Sequence, residues 1–205
     1  MRTWFHLFAW GPRPRLRSCW LFRKRYTQLI ESHIDIATED APSQYLIHTD
    51  ALRSVMVHLL HVLSIPDREI SLSFVSDAEI QQINAQYRNR NQPTDVLSFP
   101  QQEWESPLCV EDVINTISMP YPRPLGDIVI SLEQAEQNAK EIGHGLDRET
   151  CFLLIHGLLH LCGHDHEQPE EEVLMCDQQQ KILAYLQEQT PVPWLNMVIR
   201  KEDST

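Results

Sequence analysis

Three histidines constrain this chain more than any other feature, because their spacing specifies both a helix and a turn. His156, His160 and His166 stand at positions i, i+4 and i+10. Residues i and i+4 share one face of an α-helix, so two of the imidazoles can converge on one ion. Gly163 can take the left-handed conformation that ends such a helix and lets the chain bring His166 back. Three neutral imidazoles and one open position predict a catalytic zinc site with one ion.

The spacing is that of the long zinc-peptidase motif H-E-x-x-H-x-x-G-x-x-H, with one change. Gly157 occupies the position at which that motif carries the glutamate that acts as general base. A glycine side chain cannot accept a proton from water. The sequence therefore keeps the metal ligands and lacks the usual peptidase base. A zinc peptidase with its base elsewhere, such as Glu167, stays open as an alternative.

Three further residues of this segment are weaker ligand candidates. His164 and Asp165 could orient a ligand imidazole without touching the metal. Asp165 could also replace His166 as the third ligand. Cys162 lies one position away from the ligand face, which favours a place in the core.

The charge of the chain is unevenly distributed. Residues 1–30 carry seven arginine and lysine residues and no acid, whereas the remaining chain has ten basic and 29 acidic residues. A body this acidic argues against a broad basic face for nucleic acid, so we expect any RNA contact to be local, at a cleft with a metal and a few arginines. The five cysteines form no C-x-x-C pair, which indicates free thiols in a reducing compartment.

No apolar run approaches the roughly 20 residues that span a bilayer, so we expect a soluble protein with no membrane contact.

The first 30 residues decide in which compartment we expect the protein to act. An arginine-rich, acid-free segment is typical of an organelle transit peptide, although serine is scarce here and a basic tail has the same composition. We expect a cytoplasmic protein, with an organelle as the alternative if residues 1–30 are a transit peptide.

Periodicity predicts the order helix-strand-helix-strand-strand-helix-helix-helix, with two possible short strands before it. The fold class is α+β: a small mixed β-sheet packed with about five helices, with the metal-binding helix at the centre. Helix starts are predicted at Thr49 or Asp50, Asp77, Ser131 and Asp147. The residues predicted to point inward from three of the helices are Ile80, Ile83, Tyr87, Phe152, Ile155, Leu159, Val173, Leu174, Ile182, Leu183 and Leu186.

The chain divides into three predicted parts. Residues 1–40 are a basic N-terminal extension, residues 41–190 are the metal-binding domain, and residues 191–205 are a C-terminal tail. Residues 101–123 have no clear period and are predicted to be a variable insertion.

Two separate blocks of sequence resemble the YbeY family of endoribonucleases. Residues 156–166, HGLLHLCGHDH, resemble its signature H-G-x-L-H-L-x-G-x-D-H. Residues 87–100, YRNRNQPTDVLSFP, resemble its other characteristic block, and residues 125–128, LGDI, match as well. The resemblance covers residues 45–190 and leaves out the first 40 residues and the 101–123 segment.

The resemblance implies a single-strand-specific, metal-dependent endoribonuclease. Its work would be 3′-end maturation of 16S (small-subunit) rRNA and ribosome quality control, with the small ribosomal subunit and its assembly factors as partners. It implies one zinc ion held by His156, His160 and His166, and an essential arginine at Arg88. A non-catalytic ribosome-assembly factor with a structural metal remains an alternative.

The chemistry of these residues suits phosphodiester cleavage. The guanidinium of Arg88 can donate two hydrogen bonds to a phosphate and stays charged at neutral pH. Arg90 and Thr94 are weaker candidates for contacts with the RNA backbone. The general base stays open between Asp165, a water activated by the metal and the 2′-hydroxyl of the RNA.

Overall fold

The computed structural model describes residues 33–110, 122–188 and 196–201. Five helices and six strands are present in these residues, which confirms the predicted α+β class. In chain order the elements are β1 (Ile34–Ala37), β2 (Tyr45–Ile47), α1 (Thr49–Val62), β3 (Arg68–Val75), α2 (Asp77–Arg88), β4 (Val96–Pro100), β5 (Arg123–Ser131), α3 (Leu132–Ile142), α4 (Leu146–Leu161), α5 (Pro169–Glu188) and β6 (Val198–Arg200).

A four-stranded mixed sheet forms the frame, in the order β1-β3-β5-β4. Strands β1, β3 and β5 run parallel, and β4 pairs antiparallel with β5. Strand β3 alternates as its sequence predicts, because Ile70, Leu72 and Phe74 are all buried. Strand β5 is mostly apolar, which is typical of a strand covered on both faces, and it lies inside the sheet between β3 and β4.

Helix α4 lies at the centre of the molecule and packs on β4 and β5. A helix that is apolar on most of its circumference has to be buried on most of its circumference. Its leucine and isoleucine residues from 153 to 161 are at most 2% exposed. The central position predicted for this helix is therefore confirmed.

Gly157 lets helix α4 approach the sheet closely. A Cβ atom at this position would lie 3.0 Å from Cγ2 of Ile128 on β5 and 3.1 Å from Oγ of Ser98 on β4. A helix interior normally disfavours glycine by about 1 kcal/mol relative to alanine. The close contact with the sheet accounts for the glycine.

Three predicted helix starts are displaced by one or two residues. Helix α2 is capped by Ser76, whose hydroxyl accepts a hydrogen bond from the backbone N–H of Glu79, rather than by Asp77. The Asp77 carboxylate instead accepts hydrogen bonds from side chains at the start of α3. The other N-caps are His48 for α1, in place of Thr49 or Asp50, and Gly145 for α4, in place of Asp147. The cap predicted at Ser131 is confirmed.

The prediction that these side chains point inward is wrong for several residues, and all of them lie near a helix end or beside a cleft. Ile80, Ile155, Leu159, Ile182 and Leu186 are fully buried, as predicted. Four others are exposed: Tyr87 by 62%, Phe152 by 38%, Val173 by 70% and Leu174 by 37%. Each helix is covered by its neighbours over only part of its length, so its apolar stripe becomes exposed where it extends beyond the core.

A second, two-stranded sheet joins residues near the two ends of the described chain. Strand β2 pairs antiparallel with β6, which belongs to the segment predicted as a C-terminal tail. Met197 and Val198 are buried in the main core. The Glu136 carboxylate ties this sheet to α3 by accepting hydrogen bonds from the Tyr45 hydroxyl at 2.8 Å and Arg200 Nη1 at 2.6 Å.

The predicted insertion lies partly within the described residues. Residues 101–110 form neither helix nor strand, and residues 111–121 lie outside the described part of the chain. None of the helices in the described ranges combines the length and the apolar character needed to cross a membrane.

Candidate metal centre

Helix α4 and the turn after it bring the three predicted histidines together. His156 and His160 project from successive turns of the helix, and Gly163 then adopts the left-handed conformation, with φ = +88°. The N–H of Gly163 donates to the carbonyl of His160, and the N–H of His164 donates to the carbonyl of Leu159. This arrangement ends the helix at a defined point and returns His166 to its open face.

The imidazoles converge as ligands of one ion do. One nitrogen atom from each of His156, His160 and His166 lies within 4.8 Å of the other two. Nε2 of His156 and Nε2 of His160 are 3.1 Å apart. Among the described residues this is the one group of histidine, cysteine or acidic side chains with such geometry. The three residues fit a metal that prefers nitrogen ligands, such as zinc.

The backbone after the helix orients the second histidine. Nδ1 of His160 lies 2.9 Å from the carbonyl oxygen of His164, to which only a protonated nitrogen can donate. The tautomer is thereby assigned, and Nε2 keeps its lone pair for a metal.

Gln179 of helix α5 orients the first histidine. Its Nε2 donates to the carbonyl oxygen of Phe152 at 3.2 Å, so its Oε1 is left to accept from the imidazole of His156. The side chain of Gln179 is almost fully buried beneath the cluster. No local motif signals this role, because Gln179 lies 13 positions beyond His166 on a separate helix.

Burial favours the neutral form of two of the histidines, which is the form that binds a metal. Burial, and after it the neighbouring His156, lower the pKa of His160 to about 4. The pKa of His156 is lowered by burial and then by the charge of His166, while the hydrogen bond with Gln179 opposes the change. Metal ligands must be neutral imidazoles, so both shifts favour metal over proton at neutral pH.

The weaker ligand candidates lie outside the cluster. His164 is buried, and its Nε2 lies 2.7 Å from the carbonyl oxygen of Leu108, away from the other histidines. Asp165 is exposed and accepts a hydrogen bond from the N–H of His166 through Oδ1. Cys162 is fully buried, and burial raises the pKa of its thiol to about 12, which agrees with a place in the core.

The histidines form one wall of a cleft of about 240 Å³. The other wall is built from the end of α2, the loop after it and strand β4. The residues lining the cleft are Asn84, Arg88, Arg90, Gln92, Thr94, Asp95, Val96, Leu97, Ser98, His156, His160 and His166. Two arginines and one aspartate are the charged side chains of this set, so the cleft is locally basic although the chain is acidic.

Asn84 holds the arginine loop in place. Its side-chain Nδ2 donates to the carbonyl of Gln92 at 2.8 Å, and its own carbonyl accepts from the N–H groups of Asn89 and Arg90. Asn89 is left-handed, with φ = +56°, and ends the helix directly after Arg88. The end of helix α2 and this loop therefore place both arginines in the lining of the same cleft as the histidines. The sequence offered no signal for Asn84 beyond its position on a helix.

The one acid of the cleft is already engaged by neighbouring groups. Oδ1 of Asp95 accepts from the N–H of Val96 at 2.8 Å and from the hydroxyl of Thr94 at 3.2 Å. Oδ2 accepts from Nδ2 of Asn138 on α3 at 3.0 Å. These hydrogen bonds fix the start of β4 and occupy a carboxylate that would otherwise compete for the arginines.

The position of the peptidase base faces the sheet rather than the cleft. Gly157 lies against Ile128 and Ser98, so a longer side chain has no space there. Glu167 is exposed and does not line the cleft. Neither position supplies the carboxylate that a zinc peptidase needs beside its metal.

Comparison with known proteins gives one consistent family. The family model described as endoribonuclease YbeY matches residues 34–187. Endoribonuclease YbeY of Lysinibacillus sphaericus (strain C3-41) is 42% identical over 137 residues, which are 66% of this chain and 84% of the relative. The protein of the same name from Bacillus cereus (strain B4264) is 39% identical over 147 residues, which are 71% of this chain and 89% of the relative.

A solution structure of a Thermotoga maritima protein is also similar. Its sequence is 26% identical, with a TM-score of 0.47, and the alignment covers 78% of this chain and 94% of that chain.

Proposed function

Because the chain belongs to the YbeY family of endoribonucleases, we propose that it is a zinc-dependent enzyme that cleaves single-stranded RNA. Its proposed task is 3′-end maturation of small-subunit rRNA and quality control of ribosomes, together with the small subunit and its assembly factors. One observation carries the proposal: three converging imidazoles and two arginines line a single cleft.

The histidine wall would hold one zinc ion through His156, His160 and His166. When bound, zinc supplies a Lewis acid that withdraws electron density from a phosphoryl oxygen. The protein orients the ligands. Gln179 and the His164 carbonyl accept hydrogen bonds from His156 and His160, and burial keeps these two imidazoles neutral.

Arg88 would bind the phosphodiester on the opposite wall. A guanidinium donates two parallel hydrogen bonds to a phosphate and stabilises the negative charge that grows during cleavage. The side chain is exposed in the cleft, and Asn84 fixes the backbone on which it stands. Arg90 would contact a neighbouring phosphate.

RNA cleavage by the purified full-length chain tests this function. We expect cleavage of single-stranded RNA, little cleavage of the same sequence in a duplex, loss of activity with a chelator and recovery with zinc. A casein substrate should remain intact. Zinc binding without cleavage of any RNA would contradict the enzyme and favour the assembly-factor alternative, whereas casein cleavage would favour a peptidase.

A further inference from the structure

Two exposed aromatic rings stand beside the cleft, although both were predicted to point inward. Tyr87 is 62% exposed and Phe152 is 38% exposed. Within the described residues the other large apolar side chains with comparable exposure are all aliphatic. An exposed aromatic ring beside a polar cleft can contact a bound nucleic acid, because aromatic rings stack on the flat faces of bases.

Phe152 extends the histidine wall. It lies one helical turn before His156, and the two rings are nearly parallel, with an interplanar angle of 18° and centroids 6.5 Å apart. Gln179 holds the backbone here by donating to the carbonyl of Phe152. The ring is therefore a flat apolar surface at a fixed place next to a proposed metal ligand.

Tyr87 extends the arginine wall. It precedes Arg88 directly and follows Asn84 by three positions, and both of these residues line the cleft. Its ring meets the ring of Phe99 edge-on, with centroids 5.2 Å apart and an interplanar angle of 67°. This contact anchors the ring, while most of the side chain stays exposed to solvent.

We propose that Tyr87 and Phe152 are stacking platforms for the RNA bases on either side of the bound phosphate. The inference rests on the proposed function and adds the residues that select an unpaired strand. The arginines of the second wall attract a phosphate into the cleft, and the one acid that lines the cleft is already engaged. With a phosphate held there, the bases of a single strand reach outward toward the two aromatic side chains.

Stacking on these rings would distinguish single strands from duplexes. In a duplex each base is stacked on its neighbours and its faces are covered, whereas unpaired bases can turn outward onto aromatic side chains. Stacking tolerates any sequence because every base has a flat π-face. Loss of one ring therefore weakens RNA binding by about 10-fold, without a strong dependence on sequence.

Steady-state cleavage of a single-stranded RNA tests the inference. The RNA has about 12 nucleotides, a length that single-strand binding sites can cover. Tyr87→Ala and Phe152→Ala should each raise KM about 10-fold with kcat almost unchanged, while Tyr87→Phe and Phe152→Trp keep the wild-type KM. Ile142→Ala, which truncates a side chain that is 66% exposed and does not line the cleft, is the matched control. Zinc content should be the same in all five variants, and each should unfold in one cooperative transition above the assay temperature, with Phe152→Ala less stable than the others because its ring is partly buried.

Abasic RNA isolates the stacking contribution. Removing the bases around the cleaved bond should raise the wild-type KM and abolish the difference between wild type and the two alanine variants. Alanine variants that match Ile142→Ala on normal RNA, or that keep their KM defect on abasic RNA, overturn the inference. An apolar protein partner on these rings gives the first of these outcomes. Failure of the wild-type chain to cleave any RNA instead overturns the proposed function.

Discussion

Nδ1 of His160 lies 2.9 Å from the carbonyl oxygen of His164, so the turn after helix α4 orients a histidine of that helix. The N–H donates to that carbonyl, which leaves the lone pair of Nε2 facing Nε2 of His156 at 3.1 Å. Two lone pairs this close repel each other unless a proton or a metal ion lies between them. Burial disfavours the proton, so the arrangement favours a metal.

The metal-free protein should lose stability as the pH falls from about 6.5 to about 4. The pKa of His160 is about 4 in the folded chain and 6.5 when unperturbed, so between these values only the unfolded chain binds the proton. Protons then favour unfolding, and the free energy of unfolding decreases with falling pH. Urea unfolding with a chelator across this range measures the slope, which should flatten in His160→Gln and persist in His61→Gln. An unchanged slope in His160→Gln would contradict the assignment.

Gln179→Leu should weaken zinc binding by about 10-fold to 100-fold, because outer partners of ligand histidines contribute this much to metal affinity. The substitution keeps the size of the side chain and removes the acceptor for the imidazole of His156. Gln178→Leu is the matched control, since Gln178 is equally buried but accepts from the N–H of Val110. Competition with a zinc-binding dye measures both affinities. Equal affinities in the two variants would show that Gln179 does not orient the ligand.

Arg88→Ala should lower kcat for RNA cleavage by about 100-fold to 1,000-fold, as the loss of one donor to a developing negative charge does elsewhere. Arg88→Lys should recover only part of the rate, because an ammonium group cannot form the two parallel hydrogen bonds. The free energy of unfolding should change by less than about 0.5 kcal/mol, since the side chain is exposed. Arg148→Ala, an exposed arginine on α4 that does not line the cleft, should cleave at the wild-type rate.

Gly157→Ala should destabilise the fold by about 1 kcal/mol. Overpacking a buried site costs about 1–3 kcal/mol, and the better helix propensity of alanine offsets about 1 kcal/mol of that. The new methyl group would meet Cγ2 of Ile128 at 3.0 Å. Urea unfolding of the two proteins measures the difference. An alanine variant more stable than the parent would show that the helix does not need this close approach to the sheet.

The course of the chain could be predicted largely from local pattern. Alternation of Ile70, Leu72 and Phe74 predicts a strand that the structure contains, because one buried face leaves a period of two in the sequence. The histidine spacing predicted a cluster for the same reason: i and i+4 share a helix face, and Gly163 permits the return of the chain.

The rest depends on what each residue meets across the fold. Tyr87 and Phe152 continue apolar stripes, but these stripes run past the sheet to the edge of the cleft, so both rings are exposed. Gln179 reaches His156 from another helix, and no local pattern records such a contact. Strand β6 pairs with β2 about 150 residues away along the chain, a distance at which a three-residue pattern carries no pairing signal.

Zinc content and RNA cleavage of His160→Ala, measured beside His61→Ala, test the central claim most directly. His160 belongs to the cluster, whereas His61 is an exposed histidine of helix α1 that does not line the cleft. The account predicts one zinc ion and full cleavage of single-stranded RNA in His61→Ala, and loss of both in a folded His160→Ala chain. Cleavage at the wild-type rate by a zinc-free His160→Ala protein would contradict it.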